Sequence, residues 1–219
     1  RPDKGKRYFI QCEAASIIAQ VLVNGMVVGR HVGAFTAFTF EITEAVRNGA
    51  NELEVVVDNR LTESTQPMSA DFSVYGGLYR AVRLIEKDCD CIDPRYPVKA
   101  RPDPKTGTVK VDYCVNGDWK TQTLTVDDYE LWTPENPRLY TLEVRDGTDV
   151  EKITVGFRTM EFRDDGFYLN GKKRQLRGVN RHQDKKGKGW AVSPADEEAD
   201  IRLIKEMGCD ALRTAHYPQ

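Results

Sequence analysis

Two runs in the C-terminal third of the chain hold the residue types most able to do chemistry. Leu176-Arg177-Gly178-Val179-Asn180-Arg181-His182-Gln183-Asp184 and Leu212-Arg213-Thr214-Ala215-His216-Tyr217-Pro218 each pass from a short apolar stretch into a cluster with an Arg and a His. An imidazole can donate a hydrogen bond from one ring nitrogen while the other is held. His182 and His216 are therefore candidates for binding a polar ligand, with Arg213, Asn180 and Arg181 as neighbours that could support them.

What must position these groups is legible between the two runs. Ser193 and Pro194 are the N-cap and first residue of a helix, Asp196, Glu197 and Glu198 suit the positive end of its dipole, and Gly208 ends it. Ile201, Ile204 and Met207, with Leu203 alongside, read as its buried stripe. Residues 176–179 and 209–213 are then strands joined by a right-handed crossover, hence parallel. The ionisable groups fall at the carboxyl ends of both strands, where α/β barrels place their chemistry. Upstream, 167–170 and 173–176 flank Gly171 as a hairpin. Two strands of a possible eight predict the opening of a catalytic domain whose completion lies beyond Gln219.

Residues 6–85 read as all-β, with strands over 6–13, 17–24, 26–32, 35–42 and 52–57, then 73–75 and 78–85. Asn24-Gly25 between apolar runs is a strong hairpin signal. Phe35, Phe38 and Phe40 cannot all share one face, which calls for a bend. This pattern suggests a jelly-roll-like β-sandwich whose first strands precede Arg1. A proline-rich connector over 93–104 leads to a second β module with strands near 108–115, 119–126, 139–144 and 150–157. Four or five strands are too few for an immunoglobulin-like sandwich of about seven, so a hairpin is expected to be missing near Asn116-Gly117-Asp118. The predicted domains are 1–87, 88–161 and 162–219.

With 40% apolar and 30% charged residues, the 219-residue composition is that of a globular protein. No apolar run approaches the roughly 20 residues a membrane helix requires. A net charge of −2 gives no electrostatic reason for a nucleic-acid or membrane partner. The basic residues over 172–188 read as a solvated loop, for no aromatic interleaves them. Cys12, Cys89, Cys91, Cys114 and Cys209 fit neither a zinc nor a redox spacing and are expected as reduced thiols. No secretory signal is visible, and Arg1-Pro2-Asp3-Lys4 reads as the middle of a longer sequence. His31 is expected to be structural.

Several runs, taken in order, resemble the family 2 glycoside hydrolases, which include β-galactosidase, β-glucuronidase and β-mannosidase. Val23-Asn24-Gly25 and Asp71-Phe72-Ser73-Val74-Tyr75-Gly76-Gly77-Leu78-Tyr79-Arg80 are similar to the family's sugar-binding sandwich. Leu131-Trp132-Thr133-Pro134-Glu135-Asn136-Pro137, with Leu139-Tyr140, resembles its immunoglobulin-like middle domain. Phe167-Tyr168-Leu169-Asn170-Gly171 and the two runs of the opening paragraph resemble its entry into a (β/α)8 barrel.

The resemblance implies retaining hydrolysis of a terminal β-glycoside by two carboxyl groups about 5–5.5 Å apart. Both family glutamates are expected beyond Gln219, so the chain alone is expected to be inactive. Arg181-His182-Gln183-Asp184 is closer to the β-galactosidase pattern, and β-D-galactosides are the expected substrates. β-Glucuronides or β-mannosides are the alternatives within the family, and a non-catalytic carbohydrate-binding sandwich is the alternative outside it. By the same resemblance His182 and His216 bind the glycone and Arg213 orients the nucleophile. Asp71 reaches into the barrel mouth to help bind the sugar, in some members through a sodium ion. No cofactor is required by the residues of this chain, while Mg and Na are candidates for the whole protein. A carbohydrate substrate and a homo-oligomeric parent are expected.

Overall fold

The computed structural model describes residues 3–60 and 73–215. The chain is mostly β: a β-sandwich, a second β module and a closing β–α–β unit. It forms two compact units, one of residues 1–89 with 178–219 and one of residues 90–177.

The sandwich of the first unit comprises β1 (Lys6–Cys12), β2 (Ala15–Ser16), β3 (Ile18–Val23), β4 (Met26–Val32), β5 (Phe38–Glu41), β6 (Leu53–Asp58), β7 (Gly77–Leu78) and β8 (Val82–Asp88). Two antiparallel sheets, ordered β5-β1-β8 and β4-β3-β6, supply the layers, and β2 pairs with β7 in a short ladder. Period-two alternation sets what is buried. Ala19, Val21 and Val23 of β3 meet Ile10 and Cys12 of β1, with Phe38 and Ile42, in the core between the layers. Full burial of a Val, Ile or Phe side chain contributes about 1.5–3 kcal/mol. Asn24 and Gly25 connect β3 to β4 with φ of 51° and 80°, the twin positive values of a type I′ turn.

The segment expected as one strand over 35–42 bends at 34–36, and β5 begins only at Phe38. Phe38 and Phe40 thereby enter the core cluster while Phe35 packs elsewhere. Residues 73–75, expected as a strand, form no ladder. His31 stacks on Phe38 at 4.4 Å between ring centroids, and burial lowers its pKa, in keeping with a structural role.

The second unit contains β9 (Lys99–Asp103), β10 (Thr108–Val115), β11 (Asp118–Thr125), β12 (Tyr140–Asp146), β13 (Asp149–Val155), β14 (Met160–Arg163), β15 (Gly166–Leu169) and β16 (Lys172–Arg174). Its sheets are β11-β10-β9, β12-β13 and β14-β15-β16. Ile92, Val109, Val111, Tyr113, Val144, Val155 and Phe157 form its core. Near Gly117, where a hairpin is expected to be missing, the chain runs continuously. Asn116 and Gly117, at φ of 51° and 97°, turn β10 directly into β11, and the pairing runs without a break from Thr108↔Thr125 to Val115↔Asp118. The proline-rich stretch also hides β9, which tolerates Pro102 because it is an edge strand and need not donate on its open side. Asn170-Gly171 turns β15 into β16, Asn170 Nδ2 donates to the Trp132 carbonyl at 3.0 Å, and Arg174 grips Glu135 with two bonds of 2.7 and 2.6 Å.

The chain returns to the first unit as β17 (Gly178–Arg181), α1 (Pro194–Glu206) and β18 (Ala211–Thr214). Ser193 and Asp196 close a capping box, Ser193 Oγ accepting from the Asp196 amide and Asp196 Oδ2 accepting from the Ser193 amide at 2.9 Å. Gly208, at φ 81°, follows the C-cap Met207. Of the expected stripe, Ile204 is half-buried within the described residues. Ile201, Leu203 and Met207 are 45, 60 and 70% exposed. The less exposed positions are Asp196, Glu197, Asp200 and Ile204. Arg181, Lys185 and Lys188 of the preceding segment reach the carboxylates of this face.

Candidate functional site

β17 and β18 pair in parallel, with Gly178 opposite Ala211, Val179 opposite Leu212, Asn180 opposite Arg213 and Arg181 opposite Thr214. Close approach of the strands requires glycine at 178, since a Cβ there would lie 2.7 Å from the Ala211 carbonyl oxygen. Compared with expectation, both strands are displaced about two residues toward the C-terminus. Asn180 and Arg181 are therefore inside β17, and His182 is the first residue past it. The Ala215 amide donates to the Arg181 carbonyl at 2.9 Å, extending the pairing to the strand ends.

Strand alternation sorts the candidates by face. Arg181 donates through Nε and Nη2 to Asp200 Oδ2 at 3.0 and 2.7 Å, which marks its side of the pair as the one covered by α1. Asn180 and Arg213, register partners, lie on the opposite side. Arg181, expected as a support of the site, is thus engaged in holding α1 to the strand. His182 is half-buried at the carboxyl end. Asp71 and His216 lie outside the described residues, and with them the expected sodium contact of Asp71.

Residues given no role of their own in the sequence organise the segment after His182. Gln183 is 1% exposed, and its Oε1 accepts from Arg80 Nη2 at 2.8 Å. Arg80 Nη1 donates to the Trp190 carbonyl at 2.5 Å, and Nη2 also meets Glu197 Oε1 at 3.2 Å. The Trp190 ring is 2% exposed and lies 5.3, 5.6 and 5.4 Å from the rings of Phe35, Tyr75 and Tyr79. Tyr79 is buried and its hydroxyl donates to the Ala34 carbonyl, so it serves the core. No local signal could have found the Arg80–Gln183 pair, whose members are 103 residues apart.

The basic stretch is partly neutralised. Lys185 Nζ and Lys188 Nζ reach the two oxygens of Asp196 at 2.7 and 2.6 Å. These ammonium groups, with the Ser193 amide and hydroxyl, hold the Asp196 carboxyl far below the usual carboxylate range. Among the described residues no group of three or more His, Cys, Asp or Glu could hold a metal ion. None of the five cysteines is in a disulfide.

Comparison with known proteins divides the chain into three segments. Residues 1–89 match the glycosyl hydrolase 2 galactose-binding domain-like model, 93–158 the glycosyl hydrolases family 2 model, and 160–219 the glycosyl hydrolases family 2 TIM barrel domain. A β-glucuronidase of Bacteroides fragilis is 33% identical, the match covering 100% of this chain and 39% of that protein. A β-galactosidase of Thermoanaerobacter pseudethanolicus is also 33% identical, over 99% of this chain and 35% of its own length. The crystal structure of a Bacteroides uniformis β-glucuronidase superposes with a TM-score of 0.86 at 30% identity, covering 100% of this chain and 32% of that one. The chain thus spans little more than a third of the length of these two curated relatives. With three models of one family matched in order from end to end, and the β17–α1–β18 unit lying within the residues that match the barrel model, the chain belongs to glycosyl hydrolase family 2.

Proposed function

We propose that this chain builds part of the glycone pocket of a retaining glycosidase that hydrolyses terminal β-D-galactosides. One observation carries the proposal: Asn180 and Arg213 stand side by side on the face of β17–β18 away from α1, with His182 immediately beyond the strand end. That is where a barrel presents groups to a substrate.

In this reading His182 and His216 bind hydroxyls of the terminal sugar, and Asp71 approaches the same sugar from the sandwich. Arg213 orients the nucleophilic carboxylate through a charge-assisted hydrogen bond, and Asn180 supports it. The acid/base and nucleophilic carboxyls of the double displacement are assigned to no glutamate of this chain. β-Glucuronide hydrolysis is the second reading, favoured by the β-glucuronidases among the similar proteins.

The test uses the complete polypeptide that carries this chain, assayed against 4-nitrophenyl β-D-galactoside, β-D-glucuronide and β-D-mannoside. NMR of the first-formed sugar reads the stereochemistry. Preferred hydrolysis of the galactoside with a β-anomer product is expected. Preference for the glucuronide selects the second reading, and an α-anomer product or no hydrolysis of any of them defeats both.

A further inference from the structure

We infer that Arg80, contributed by the sandwich, is a positioning residue that seats the segment following His182 and so fixes the imidazole at the strand end. Its kinetic readout rests on the glycosidase reading above; its structural readout does not.

The guanidinium spans acceptors from three separate places: the Trp190 carbonyl at 2.5 Å, Gln183 Oε1 at 2.8 Å and Glu197 Oε1 at 3.2 Å. Its side chain is only 18% exposed, and it lies over the Tyr79 ring at 5.2 Å. A planar fork with five donors suits such a junction, because one rigid group sets the spacing of several partners. Arg80 therefore ties together both ends of the 183–190 segment and the first turn of α1.

The sandwich supplies the rest of the seat. Phe35, Tyr75 and Tyr79 enclose Trp190. Gly189, at φ 55°, passes so near Tyr75 that a Cβ would lie 2.9 Å from its ring. On the other flank Lys185 and Lys188 are held by Asp196. His182 is thus fixed from both sides, by the β17–β18 pairing before it and by the buried Gln183 after it. Displacing a binding group by about 1 Å can cost 100-fold in rate, so a residue that touches no reacting atom can govern turnover here.

The experiment compares wild type, Arg80→Met and Arg80→Lys in the complete polypeptide. Methionine keeps an apolar stem near Tyr79 and removes every donor. Amide hydrogen exchange over 183–190 should accelerate about tenfold or more in Arg80→Met, while β1 and β3 keep wild-type protection. On the glycoside that wild type hydrolyses, kcat/KM should fall about 10- to 100-fold. The shape of the pH profile should stay unchanged, because Arg80 touches no reacting atom. Arg80→Lys, which keeps the charge but loses the fork, should fall between the two.

Unchanged exchange over 183–190 overturns the inference, as does acceleration spread equally through β1 and β3. Local loosening without any change in kcat/KM overturns the positioning role. If wild type hydrolyses no glycoside but 183–190 loosens selectively, the glycosidase reading fails and the seat stands.

Discussion

Asn180 and Arg213 face each other across the parallel pairing of β17 and β18, on the side turned away from α1. Adjacent strands lie about 4.8 Å apart, so the two polar side chains emerge as neighbours on a face that the helix does not cover. Arg181, one residue away, emerges on the other side and is bound to Asp200.

The two arginines should therefore fail in different ways. In the complete polypeptide Arg213→Met should reduce kcat/KM about 10- to 100-fold, the cost of a lost charge-assisted hydrogen bond, with little change in melting temperature. Arg181→Met should leave kcat near wild type and lower stability by about 1–2 kcal/mol. Denaturant unfolding beside steady-state kinetics checks both. Equal effects from the two variants would contradict the face assignment.

Gly178 should resist even the smallest side chain. A Cβ there would stand 2.7 Å from the Ala211 oxygen and 2.9 Å from its carbonyl carbon, both backbone atoms that cannot swing aside. Gly178→Ala should cost about 1–3 kcal/mol, the usual range for forced overpacking, and raise amide exchange in β17 and β18. A variant with wild-type stability and protection would show that the strands do not approach this closely.

Acid should weaken the second unit through Glu135. The Arg174 guanidinium pulls the Glu135 carboxyl down from 4.5 to about 2. A carboxyl whose pKa is lower in the folded state adds stability that is complete above its unfolded pKa and is lost as protons bind. The loss therefore runs from about pH 4.5 down through pH 2. The pair is exposed, so its contribution is small. Glu135→Gln should flatten this part of the stability–pH curve and leave the region above pH 5 parallel to wild type. Curves that stay parallel down to pH 2 would refute the pairing.

Local chemistry made much of the fold legible. Asn24-Gly25 and Asn170-Gly171 announced turns because tight hairpins need positive φ at both positions, and Ser193-Pro194 with Gly208 bounded α1 because helix ends need partners for their free backbone groups. Asn116-Gly117 meets the same requirement and joins β10 to β11, the strands expected on either side of it. β9 escaped because Pro102 and Pro104 read as a connector, though an edge strand can carry proline. On α1 only hydrophobicity was counted, and the ion pairs along one face went unread. Asp196 and Asp200 turn inward to meet lysines and an arginine.

For the site, the polar strand ends were readable because apolar runs stopped abruptly at them. The Arg80 junction was not, since its partners lie 103 to 117 residues away and only folding brings them together. Asp71 and His216 were named in advance and fall outside the described residues.

The most direct test of the strand-end pocket is kcat/KM of His182→Ala against wild type, in the complete polypeptide, on whichever nitrophenyl β-glycoside wild type hydrolyses. A fall of about 10- to 100-fold at an unchanged melting temperature is predicted, the cost of one lost hydrogen bond to the sugar. A variant that turns over as fast as wild type would contradict the account.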